Sequence, residues 1–106
     1  MSHDSVEPLR EALWAVLEGL KERIPDNDGD GSETSFGNLR WMADRCLSDD
    51  TMPLDKVSRW VGFIQGVLAT QGLLSVAEER DRTRPLFHAA YFAMGIEPPA
   101  SMSRGD

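Results

Sequence analysis

Cysteine occurs once and histidine twice in these 106 residues. No uninterrupted apolar run reaches the roughly 20 residues that crossing a bilayer requires. Cys46 alone excludes an intrachain disulfide framework and cannot by itself build a metal site. The N-terminal run MSHDSVEPLREALW has acids where a secretory signal needs a basic start followed by apolar residues, so no signal peptide is expected. Also lacking are a Gly-rich phosphate loop, a nucleophile elbow, two His at metal-ligand spacing, a solenoid repeat and any useful strand-like alternation. These absences point away from an enzyme and towards a soluble, cytoplasmic protein with a reduced thiol.

What is present is ordinary for one globular domain: 41% hydrophobic and 27% charged residues. A chain of this size buries about two-thirds of its unfolded surface, enough for one core spanning 1–106. The 18 acids against 11 Lys and Arg leave a net charge of −7. Residues 1–55 carry 13 acids and 5 bases, whereas 56–106 carry 5 acids and 6 bases. Such a chain is a poor generic nucleic-acid binder, and any phosphate chemistry is confined to its second half.

Apolar residues at Val6, Leu9, Leu13, Val16, Leu17, Leu20 and Ile24 recur at helical intervals, predicting a helix over 5–23 with Pro8 in its first turn. Pro25 and an acidic loop at 25–34 end it. A second helix is predicted over 35–47. A third, over 53–71, has Thr51 as cap and Gly72 as stop. Ser75 and Glu78 form a capping-box pattern that opens a fourth, over 75–94. Pro85 predicts a kink or break in it, with Thr83 able to cap a restart. An irregular tail follows at 96–106. The expected fold is all-α, a small bundle of about four helices, with neighbours antiparallel across short connections. Its predicted core is Leu13, Val16, Leu17, Leu20, Leu39, Cys46, Trp60, Val61, Ile64, Val67, Leu68, Phe87 and Tyr91.

Three constellations are candidate sites. Ser58, Gly62, Gly66 and Thr70 repeat every four residues on the third helix, nearly opposite Val57, Val61, Ile64 and Leu68. Each Gly costs a helix about 1 kcal/mol relative to Ala, so two on one ridge call for a close approach. Either another helix of the chain fills that groove, or a second copy or a target protein does. Arg80, Arg84 and His88 lie four apart, and Arg59 could approach them if the third and fourth helices form a hairpin. Such a cluster would bind anions such as phosphate. The competing reading is a solvated, salt-bridged face in which Glu78 pairs with Arg82. Asp26, Asp28 and Asp30, with Gly31, resemble the opening of an EF-hand calcium loop, where alternate carboxylates surround the cation. Gly37 stands where that family has its bidentate Glu, and only Glu33 is near enough in sequence to replace it. The competing reading there is an acidic turn, with no cofactor and at most weak Ca2+ binding.

The segment Asp55 to Tyr91, DKVSRWVGFIQGVLATQGLLSVAEERDRTRPLFHAAY, is similar to a stretch of short uncharacterised accessory proteins of tailed bacteriophages and prophages. That resemblance implies a bacterial cytoplasm and a protein that binds a host or phage protein as an inhibitor or regulator. It carries over no functional residue. The residues themselves point to a homo-oligomer formed through the third helix. Metal or phosphate/nucleotide binding is the alternative.

Overall fold

The computed structural model describes residues 7–27, 29 and 31–95. The predicted helix start near Ser5 and the tail at 96–106 lie outside the described residues. Four helices form: α1 (Glu7–Lys21), α2 (Phe36–Ser48), α3 (Leu54–Thr70) and α4 (Val76–Ala93). The fold is all-α, with no strand among the described residues.

Helix ends follow local chemistry. Ser35 Oγ accepts the Asn38 N–H at 3.2 Å and Ser75 Oγ accepts the Glu78 N–H at 3.3 Å, each satisfying an orphan donor of a first turn. Thr51 does not cap α3 as expected. Its hydroxyl donates to Asp49 Oδ1 at 2.6 Å, and Pro53 occupies the cap position with no side-chain bond. At the other end Gly72 adopts φ +76°, and the Leu73 N–H reaches back to the Leu68 carbonyl at 2.9 Å.

α4 runs unbroken through Pro85, so of the expected kink or break the break does not occur. Proline removes the donor for the Asp81 carbonyl, but both residues are exposed, so water can serve that acceptor. Thr83 caps no restart: it is buried, and its hydroxyl donates back to the Arg80 carbonyl at 3.4 Å.

α1 is the central helix, packing against each of the other three, while α2 also packs on α3. The short turn after Thr70 does not bring α3 and α4 face to face. Each meets α1 instead, correcting the expected hairpin. Val16, Leu17, Leu20, Leu39, Cys46, Val57, Ile64 and Leu68 are wholly buried, with Leu13 and Val61 nearly so. Trp60, Val67, Phe87 and Tyr91 are only half-buried, at the margin of that core. Met42, Met52 and Leu74 complete it.

Candidate functional site

Ser58, Gly62, Gly66 and Thr70 are all exposed on the outer face of α3. A Cβ added at Gly62 or Gly66 would meet nothing within 4 Å, so none of the helices among the described residues fills the groove. Thr70 turns its hydroxyl onto the Gly66 carbonyl at 2.8 Å. The groove is shallow, lined also by Phe63 and Val67. Phe63 is exposed at 39%, and on α2 Trp41 is exposed at 55%. The Trp41 ring lies 5.8 Å from that of half-buried Trp60, tilted by 40°, and Lys56 Nζ stands 5.1 Å from the Trp60 centroid. These contacts join an aromatic ridge to the flank of the small-residue stripe. The spacing of Trp60, Phe63 and Val67 was its only sequence signal; Trp41 arrives from another helix.

The cationic candidates do not converge on one anion site. Arg59 Nη1 binds Asp55 Oδ2 at 3.1 Å within α3, and Arg84 Nη1 binds Asp81 Oδ1 at 3.4 Å within α4. Arg80 and His88 are exposed on the same side of α4. Exposed pairs of this kind contribute little, and they match the solvated-face reading. Arg82, however, does not pair with Glu78. Glu79 and Arg82 turn inward together, and Glu79 is only 6% exposed.

Glu79 Oε1 accepts Arg82 Nε at 3.0 Å, and Oε2 accepts Arg82 Nη2 at 2.8 Å and Gln65 Nε2 at 2.9 Å. Arg82 Nη2 also reaches the Val16 carbonyl at 3.4 Å. The guanidinium lies over Gly19, where a Cβ would stand 2.5 Å from Nη1. One ion pair, its carboxylate buried and its guanidinium 32% exposed, thus touches α1, α3 and α4. A buried cation, Arg10, donates from Nη1 to the Met52 carbonyl at 2.8 Å and stands 3.6 Å from Glu7. Its Nε is buried with no hydrogen-bond partner.

In the acidic loop, Asp26 and Glu33 are exposed, and Asp28 and Asp30 lie outside the described residues. Arg40 Nη1 donates to the Pro25 carbonyl at 2.6 Å and to the Asn27 carbonyl at 3.1 Å. This clasp sets a positive charge against the loop, which opposes a bound cation. Among the described residues no three His, Cys, Asp or Glu group together as metal ligands. Cys46 is buried with Sγ 3.8 Å from Met52 Sδ, and burial pushes its thiol above the usual range, with Lys56 pulling it back. It has the surroundings of a structural thiol and not of a nucleophile.

No helix among the described residues is long and apolar enough to cross a membrane. Comparison of the chain with protein-family models, with curated proteins and with solved structures gives no match.

Proposed function

We propose that this is a binding protein and not an enzyme: a small phage-type accessory protein of the bacterial cytoplasm that engages a host or phage protein and self-associates through α3. The observation that supports this reading is the unfilled outer face of α3. Two mid-helix glycines cost about 1 kcal/mol each, and no contact among the described residues offsets them. Phe63 lies beside them, an apolar ring exposed at the groove. A symmetric pair of such faces crosses closely because neither presents a large side chain at Gly62 or Gly66.

Light scattering on the wild type and on Gly62→Leu tests the reading. The expected result is a wild-type dimer at micromolar concentration and a Gly62→Leu monomer of unchanged helical content. A wild type that stays monomeric at high micromolar concentration removes self-association. Calorimetry in which calcium binds at micromolar affinity, and Asp28→Ala abolishes it, would replace this proposal with metal binding. A melting shift with phosphate or nucleotide that Arg84→Ala removes would favour the anion site.

A further inference from the structure

We propose that the cleft between α3 and the start of α4 binds a small aliphatic carboxylate, its chain on Ala69, Leu74, Val76 and Phe87 and its head group on Arg80 and Thr83. Both helices pack on α1 with little contact between them, and the packing of α4 on α1 is the most extensive in the fold. A valley with firmly seated walls is left between α3 and α4. The cleft at its Val76 end has a volume of about 380 Å³, at the small end of the range of ligand pockets. It shares only Gly66 with the groove on the outer face of α3, and a ligand there needs no second copy of the chain.

The apolar part of the cleft suits a short chain. Leu74 is buried, Ala69 and Phe87 are half-buried, and Val76 is left 56% exposed at the start of α4. An aliphatic chain laid along these side chains takes apolar surface of both partners out of water. Phe87 also lines the neighbouring cleft towards Tyr91 and so stands between the two. It divides the valley into compartments suited to a small molecule and not to a partner's helix.

The polar end is set by Arg80. Its neighbours three and four residues away are Val76, Ala77, Thr83 and Arg84, none of them an acid, so its own helix supplies no partner. Arg82 and Arg84 are paired with Glu79 and Asp81, while among the described residues no acid lies within ion-pair distance of Arg80. Glu79 also lines the cleft, but its carboxylate already accepts from Arg82 and Gln65 and sits beside the Arg82 charge. It therefore neither claims Arg80 nor opposes an anion there. Thr83 is only 8% exposed, and the one bond its hydroxyl makes among the described residues is the long one to the Arg80 carbonyl. Turned to the cleft, that hydroxyl is a second donor one turn from the guanidinium. Such a pair matches a singly charged, planar carboxylate, which Arg grips through two parallel bonds, whereas a phosphate dianion calls for more cations than this cleft has.

Titration of the isotope-labelled whole chain with octanoate, octanol and octylammonium, followed by amide NMR shifts, tests this. Octanoate is expected to shift amides of 65–69 and 74–87, with a Kd of about 1 mM and an affinity about fivefold above that of octanol. Arg80→Glu, at an exposed position, should fold as the wild type does and reverse the preference, taking octylammonium over octanoate. Arg59→Glu makes the same change of net charge on α3, away from the cleft, and should leave the order as it is. Octanoate binding no tighter than octanol overturns the proposal, as do shifts centred outside those segments or none at about ten times the expected Kd. An order unchanged in Arg80→Glu, or reversed in Arg59→Glu as well, overturns it too. If raising the protein concentration alone moves the same amides, a second copy fills the cleft and the proposal falls.

Discussion

At Gly19 the backbone of α1 comes so near α4 that a Cβ would stand 2.5 Å from Arg82, whereas at Gly62 and Gly66 of α3 a Cβ would meet open space. The same residue carries the same helix penalty in both regions, about 1 kcal/mol. At Gly19 the penalty is offset by the room it makes for a half-buried guanidinium. On the outer face nothing among the described residues offsets it. A glycine in a helix is thus a question about its surroundings, and only the packing tells which kind it is.

That contrast can be broken by substitution. The reference point is the inner face of α3, where Ile64→Ala should cost about 2–5 kcal/mol in denaturant unfolding because the side chain is wholly buried. Gly19→Ala comes next. Alanine is the better helix former, yet displacing Arg82 from its seat should outweigh that gain and leave a net loss of about 1 kcal/mol. A stabilised Gly19→Ala would mean that Arg82 moves aside freely and that the seat does not matter. Gly62→Ala should show the opposite sign in a monomer, a gain of up to about 1 kcal/mol, since no neighbour objects. If thermal melting shows a loss at Gly62 only at concentrations where the wild type associates, the outer glycines serve an interface.

The smallest effect concerns pH. Burial raises the Cys46 thiol above its usual range in the folded protein. As pH climbs, the unfolded chain loses that proton first, so the contribution is intact below the ordinary thiol range and lost above it. Melting temperatures on the alkaline side should fall less steeply in Cys46→Ala than in the wild type. Native Cys46 should also react slowly with a thiol reagent at neutral pH.

Much of the architecture was legible from spacing alone. Leu13, Val16, Leu17 and Leu20, and likewise Val61, Ile64 and Leu68, recur at intervals that leave one buried face, and every expected helix end that falls on the described residues is met within two residues. Ser75 was read as a cap and is one, and Ser35, read only as a helix start, caps α2 as well. What escaped was decided between elements. Charged residues are read as solvent-facing, so Arg10 and Glu79 carry no sequence signal of burial; their partners are a carbonyl of a distant loop and a glutamine of another helix. Pro85 was read as a kink or a break because propensity is local, while an exposed position tolerates the freed carbonyl without interrupting the helix. The seam on α3 was recognised, but whether α1 or solvent lay over it depended on which helix became central.

The three tryptophans fall one to a helix, on α1, α2 and α3, and none on α4. The Trp14 indole N–H donates to the Cys46 carbonyl at 2.9 Å, and Trp41 lies tilted against Trp60. Indole emission, and the coupled absorption of two rings 5.8 Å apart, therefore arise from α1, α2 and α3, with no indole on the last helix. Far-UV ellipticity counts all four. Heated or titrated with denaturant, this protein carries two clocks, and whether they strike together is a measure of its cooperativity that needs no label and no substitution.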